Sequence, residues 1–506
     1  MLNEIYYKFA ADSVSKKYKM SVLKGLKPAA VWYYFEEICR IPRLSKNEEK
    51  IRKYLLGFAG DNKLEAREDI TGNILITRPS HPDFMDRKTV VLQSHMDMVG
   101  EKNAGHPHDW SKDPILPSVD RGWVIANGTT LGADDGIGIA AQLAILSDKN
   151  LKAGEIECLF TIDEESGMTG AKNLKPGFFI GRILLNLDSE DEGILFIGCA
   201  GGLDTVGTMS FSSEPLPRGS AAFEISVTGL HGGHSGDEIH KGYGNSVKIM
   251  TRILRDLDER YGILLSNFNG GNLRNAIPRE AFVTIVVKKS LSDSIVSRIN
   301  ELQDIIRTEF GDLEKDLIIN SGKCSLPSFV TDRRTHEKLL ELLTCCPHGV
   351  IAWSKDMEDL VETSTNLASV KFHEDDIIKI VTTQRSSVES SKREAAALVG
   401  SCMKPAGADV LHSEGYPGWT PDMNSEILRI TRQSYRKLFG KDPAVKAIHA
   451  GLECGLIYEK FRGIDMISFG PTIRGAHTPE EKIEIATATM FWDLLIDVIS
   501  NIPLKA

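Results

Sequence analysis

The stretch Thr89-Val90-Val91-Leu92-Gln93-Ser94-His95-Met96-Asp97 decides how this chain is read. Its apolar part is too short for a helix and reads as a buried strand. It ends in two side chains able to handle a metal or a proton. Side chains two apart in an extended segment face the same way. One of the pair can therefore offer an imidazole nitrogen to a metal while the other accepts the N–H on the far side of that ring. An incidental His-x-Asp would look the same, so the neighbouring segments must decide.

Working outward, residues 74–77 read as another strand, and residues 136–146 carry Ile137, Ala140, Ala141, Ala144 and Ile145 at helical intervals. Residues 155–162 alternate, with Ile156, Cys158, Phe160 and Ile162 on one face, and residues 182–187 give a further strand. Residues 28–58 read as helical through Trp32, Phe35, Ile38, Ile51 and Leu55. Strands and helices interleaved in this way imply an α/β layer with a mostly parallel sheet, whose site lies beyond the carboxyl ends of the strands. His95, Glu164, Glu165 and Asp188 would all emerge there.

The character changes after Gly201-Gly202, and the polar, Pro-containing residues 214–219 mark a boundary. Residues 222–228 and 281–288 read as strands, 245–260 and 294–310 as helices, and more strands lie near 360–383. The expected organisation is an N-terminal extension over 1–19, a first catalytic part over 20–213, an inserted α+β domain over 214–403, and a second catalytic part over 404–506. That last part holds a helix over 422–439, a strand over 466–469 and a closing helix over 483–502. An insertion of this kind explains how His477 can join groups from the first half of the chain.

At 506 residues the chain is too long for a single core. Its 42% hydrophobic and 26% charged content is ordinary for a globular enzyme. A formal net charge of -10 with no basic stripe argues against a nucleic-acid partner. No apolar run approaches the roughly 18 residues a membrane span needs. The first 19 residues lack the apolar centre of a secretory signal and contain acids, which transit peptides avoid. Cys39, Cys158, Cys199, Cys324, Cys345, Cys346, Cys402 and Cys454 form no CxxC pair, which fits reduced thiols in a cytosolic protein. The adjacent Cys345 and Cys346, at an expected helix end, are the candidates for redox sensitivity.

Two histidines and three carboxylates, each at the end of an apolar run or in a constrained loop, make up a ligand set: His95, Asp134, Glu165, Asp188 and His477. Asp134 follows Leu131-Gly132-Ala133 at a helix start, where an N-cap aspartate is the alternative. Asp163-Glu164-Glu165 places three acids together at a strand end. They repel one another unless a cation or solvent relieves them. Asp188 leaves a buried strand, with a turn aspartate as the alternative, and His477 lies in a rigid loop. Asp97 and Glu164 stand beside the set, free to handle protons.

The order and spacing of these strings carry a resemblance. Ser94-His95-Met96-Asp97-Met98-Val99, Gly132-Ala133-Asp134-Asp135-Gly136-Ile137-Gly138 and Asp163-Glu164-Glu165-Ser166-Gly167 resemble the dinuclear zinc peptidases. The strings Leu187-Asp188-Ser189-Glu190, Gly198-Cys199-Ala200-Gly201-Gly202, Gly232-Gly233-His234-Ser235-Gly236, Leu273-Arg274-Asn275-Ala276-Ile277-Pro278-Arg279 and His449-Ala450-Gly451-Leu452-Glu453-Cys454-Gly455 narrow this to the aminoacyl-histidine dipeptidase branch. The resemblance runs from about Met20 to the end. It implies a zinc-peptidase-like catalytic domain, with the insertion serving as a lid and dimerisation domain.

It further implies two divalent ions, Zn²⁺ with Mn²⁺ or Co²⁺ as alternatives. Asp134 would bridge them through a non-proline cis peptide to Asp135, His95 and Asp188 would complete one site, and Glu165 and His477 the other. Glu164 would be the general base and Asp97 the partner that orients His95. His234 would stabilise the oxyanion, often in the active site of the other subunit of a homodimer. Asn275 and Arg385 would hold the substrate's backbone or carboxylate, and Glu453 its amino group. A surface role for Arg385 and a structural one for Glu453 remain open. The implied activity is cytosolic hydrolysis of unblocked Xaa-His and related dipeptides, carnosine-like ones included. An aminoacylase-like N-acyl amino acid amidohydrolase is the alternative on the same fold, and a non-catalytic binding protein the alternative outside it.

Overall fold

The structure, a computed structural model, describes residues 22–505. The extension expected over 1–19 therefore lies outside the described residues. The chain folds as two compact units. The first runs to Ile197 and takes in Asp422–Lys446 and the chain from Leu456 onward; the second comprises Gly198–Pro421 and Ala447–Gly455.

The first unit is built on an eight-stranded mixed sheet. Its centre is parallel: Ile156–Thr161, Val90–His95, Ile183–Asn186 and Asp465–Ser468 run the same way. The margins are antiparallel, with Glu65–Glu68 and Ile74–Arg78 on one side and Ile194–Cys199 next to Asp465–Ser468 on the other. The parallel character expected from the sequence thus holds for the central strands, of which Val90–His95, Ile156–Thr161 and Ile183–Asn186 are buried along their whole length, as strands covered on both faces are. Helix Ala133–Ser147 packs against Val90–His95 and against helix Ala29–Cys39, burying nearly every residue from Asp135 to Leu146.

One expectation changes here. Residues 28–58 form two helices, Ala29–Cys39 and Glu49–Asn62, rather than one. Pro42 lacks the amide hydrogen a helix needs and disfavours helical geometry in the residue before it. The intervening turn carries Arg43, Ser45 and Glu48 toward the ends of the central strands.

Register decides where the candidate side chains emerge. His95 pairs with Thr161, Gln93 with Asn186, and Asn186 with Ser468. The carboxyl ends of the central strands are therefore level, and Asp97, Glu164, Glu165 and Asp188 all leave from that one edge.

The second unit carries a nine-stranded sheet whose pairings are all antiparallel. Helices Ser246–Tyr261, Ser292–Phe310, Arg333–Cys345 and Glu389–Met403 share one apolar core with it, including Phe223, Ile253, Leu257, Ile285, Ile299, Leu339, Ile380 and Val399. The boundaries expected at 214 and 403 move outward. Strand Gly201–Ser210 pairs residue for residue with Ile377–Ser386, and Asp409–His412 pairs on its other side, so both belong to this sheet. Residues 214–219 are a connection within the unit and not its edge. Glu453, expected in the second catalytic part, falls in this unit through the segment Ala447–Gly455.

Among the described residues there is no helix long and apolar enough to cross a membrane. All eight cysteines are free thiols; Cys345 ends its helix exposed and Cys346 beside it is buried.

Candidate metal centre

Five side chains of the first unit converge. His95 Nε2 lies 3.0 Å from Asp134 Oδ1 and 3.3 Å from Asp188 Oδ1. His477 Nε2 lies 3.3 Å from Asp134 Oδ2 and 2.9 Å from Glu165 Oε2. Asp134 thus stands between two half-sites, one oxygen turned to each imidazole. It is not the N-cap that its position allowed. That place goes to Gly132, and it is the neighbouring Asp135 whose Oδ1 accepts a hydrogen bond from Gly138 N at 3.0 Å. The Asp134–Asp135 peptide is cis.

The electrostatics describe carboxylates crowded out of water. Burial, helped by the Asp134 charge and opposed by His95, pushes the Asp188 carboxyl up to about 7. Burial disfavours a charged His95, yet Asp188, Asp134 and Asp97 outweigh it and hold the imidazole's pKa well above its usual value. Hydrogen bonds donated to the Asp134 and Glu165 carboxylates raise His477 to about 11. Glu165 Oε1 is buried with no hydrogen-bond partner. Two imidazoles, three carboxylates and an orphaned carboxylate oxygen in one place have the donor chemistry of a site for divalent cations.

Asp97 knits this centre to the next turn. Its oxygens accept from the backbone N–H of Glu164 (3.0 Å) and Glu165 (3.2 Å) and from Ser45 Oγ (2.8 Å). Its Oδ1 approaches His95 Nδ1 at 3.4 Å. Asp163 has a left-handed backbone (φ 51°) and caps the short helix Glu164–Gly167, its carboxylate taken by the hydroxyls of Ser166 and Thr169. Glu48 Oε1 accepts from Asp163 N at 3.1 Å. Two of the three acids that looked repulsive in sequence therefore have separate tasks: Asp163 builds the turn, and Glu165 leaves it toward His477.

The second unit holds the remaining candidates. His234 Nδ1 accepts from Asp237 N at 3.1 Å and lies 3.2 Å from Asp237 Oδ2. Asn275 is exposed, and its carbonyl accepts from Ser235 N at 2.8 Å. Arg385 is only 5% exposed, so it is not a surface arginine. Its guanidinium donates to Tyr416 Oη at 2.8 Å while its Nε has no hydrogen-bond partner. Glu453 is buried at the start of helix Glu453–Lys460.

Residues 91–500 match the model of peptidase family M20/M25/M40. The chain belongs to that family. It is 41% identical over 486 residues, 96% of this chain and 100% of the relative, to the cytosol non-specific dipeptidase of Escherichia coli. The crystal structure of the aminoacylhistidine dipeptidase of Vibrio alginolyticus superposes with a TM-score of 0.90 at 41% identity, over 97% of this chain and 100% of that one. An aminopeptidase of Bacillus cereus shares the fold at a TM-score of 0.55 and 18% identity, covering 94% and 99% of the two chains.

Sequence reasoning passed over several residues that this peptidase places around the centre. Arg43 and Ser45 were hidden inside an expected helix, with Pro42 as the available signal. Glu190 stands two residues after Asp188; burial and the charges of Asp134 and Asp188 push its carboxyl up to about 8. Glu481 follows His477 in the same loop, and no local pattern sets it apart from its neighbour Glu480.

Proposed function

We propose that this protein is a metal-dependent dipeptidase acting on unblocked Xaa-His and related dipeptides, in the cytosol like its Escherichia coli relative. The observation that carries the reading is Asp134, with one oxygen facing His95 and the other facing His477, inside a chain 41% identical over nearly its full length to a dipeptidase. His95, Asp134 and Asp188 are assigned to one divalent cation and Asp134, Glu165 and His477 to the other, with Zn²⁺ the first choice for imidazole and carboxylate donors. Two such cations supply a water acidic enough to attack at neutral pH and a polarised scissile carbonyl.

The rest falls to the chain itself. Glu164 takes the proton of the attacking water on its carboxylate and delivers it to the departing amine nitrogen, which leaves poorly unless protonated. Asp97 holds Glu164 and Glu165 by their main-chain N–H groups and so fixes the base relative to the ligands. We assign His234 to the developing oxyanion, acting within a homodimer. Arg385, whose guanidinium suits a carboxylate, and Asn275 are assigned to the substrate's C-terminal half, and Glu453 to its free amine.

The test is a panel of dipeptides, β-alanyl-histidine and N-acetylated counterparts, assayed before and after chelation and after adding back Zn²⁺ or Mn²⁺. Cleavage of free-amine dipeptides that disappears with chelator and returns with metal is expected. Preference for the acetylated compounds, or full activity after exhaustive metal stripping, would overturn the reading.

A further inference from the structure

The turn that presents Asp134 is gripped from both sides. On its amide side, four consecutive backbone N–H groups point at one carboxylate. Glu481 Oε2 accepts from Leu131 (2.8 Å) and Gly132 (2.9 Å), and Oε1 accepts from Ala133 (2.7 Å) and Asp134 (3.2 Å). On its carbonyl side, Arg43 donates to Gly132 O at 2.5 Å and, through its other amino group, to Met96 O (3.1 Å) and Asp97 O (2.5 Å). Arg43 and Glu481 are each 3% exposed.

A buried charge is costly unless its partners are fully supplied, and here the partners are main-chain groups of the centre itself. The guanidinium ties the end of the His95 strand to the Asp134 turn. The carboxylate lies at the amino end of helix Ala133–Ser147, where a negative charge is favoured. Gly132 allows the turn its left-handed backbone (φ 70°), and a Cβ there would press on Arg43 and on the Met98 sulfur.

Glu481 is also coupled to His477. Between them the loop closes on itself, with Thr478 N and Oγ1 donating to Gly475 O (3.1 and 2.7 Å) and Glu481 N donating to Thr478 O (3.0 Å). One returning loop therefore delivers an imidazole to Asp134 Oδ2 and a carboxylate to the backbone that carries Asp134.

We infer that Glu481 is a positioning residue of the metal centre: it sets the turn that aims Asp134 between His95 and His477, with Arg43 closing the opposite side. The inference rests on the reading of Asp134 as the shared ligand.

Glu481→Gln tests it. The amide keeps the size of the side chain but turns an NH₂ toward two of the four N–H donors, so the cradle loses half its acceptors. Zn²⁺ affinity is measured by competition with a chromophoric chelator on wild type, Glu481→Gln and Asp134→Ala, with thermal melting of each metal-free protein alongside. Glu481→Gln is expected to remain folded without metal and to bind Zn²⁺ about tenfold or more weakly, the usual size of such indirect effects. A folded variant with affinity within twofold of wild type overturns the inference. If Glu481→Gln does not fold, Glu481→Asp, which keeps the charge and withdraws it, goes through the same titration. Failure of both to fold assigns Glu481 to the fold and overturns the inference as well. Absence of Zn²⁺ binding by wild type is a separate result, which removes the shared-ligand reading itself.

Discussion

Asp97 accepts the main-chain N–H of Glu164 and of Glu165, the residues assigned as base and ligand, while lying 3.4 Å from the ring of His95. Burial works to raise its pKa, but hydrogen bonding to His95 and the charge there outweigh this and bring it down to about 2, so it is an anion at working pH. In Asp97→Asn one acceptor becomes a donor facing an N–H. Turnover is expected to fall about 10–100-fold and metal affinity to fall with it. Ser45→Ala removes a single hydroxyl donor to the same carboxylate and should cost less than about tenfold. Equal losses in the two variants, from steady-state kinetics and metal titration, would contradict this ranking. Glu164→Gln should behave differently from both. Turnover is expected to drop about 10²–10⁴-fold with metal stoichiometry unchanged, and a lost metal equivalent would mark Glu164 as a ligand instead.

Helix Ser246–Tyr261 starts at Asn245, whose Oδ1 accepts from Val247 N (2.9 Å) and Lys248 N (3.2 Å). The Asn245 amide nitrogen in turn donates to Leu367 O (2.9 Å) and lies 3.3 Å from His348 Nδ1. That last contact needs an unprotonated Nδ1. Burial, with help from the Lys248 charge, brings the His348 imidazole down to about 4. The unfolded chain, with an ordinary imidazole near 6.5, takes up a proton that the folded one refuses. Stability from this group is complete above about pH 6.5 and is lost as pH falls toward 4, on the order of 2 kcal/mol. Denaturant melts of wild type and His348→Gln across that window should diverge, with the variant showing the shallower slope; parallel curves would exclude the effect. None of this was legible in sequence. Asn245 looked like the first residue of a helical run, and only tertiary packing brings His348 to it.

The elements of the first unit were legible because the strands Val90–His95, Ile156–Thr161 and Ile183–Asn186 are mostly apolar segments closely followed by metal- or proton-handling residues, and the order of those residues with Asp134 and His477 left few alternatives. The limits of the second unit were not, because strand Gly201–Ser210 declares its membership only by pairing with residues far away at Ile377–Ser386. Arg43 and Glu481 escaped for a related reason: their partners are main-chain groups, which carry no signature in the sequence.

The same division into two units, each with its own core, shapes the response of the whole molecule to metal. The five residues proposed to hold the cations lie in the first unit, and the second has a separate apolar core running from Met209 to Ala408. A ligand that binds only the folded state stabilises by about 2.7 kcal/mol when present at a hundred times its dissociation constant. For a unit of this size that corresponds to a rise in melting temperature on the order of 5–10 °C. Calorimetry with and without chelator should therefore move the transition of the first unit, while lowering the pH toward 4 with His348→Gln as control should report on the second. A chelator effect of equal size on both transitions would place the cation elsewhere than at His95, Asp134, Glu165, Asp188 and His477.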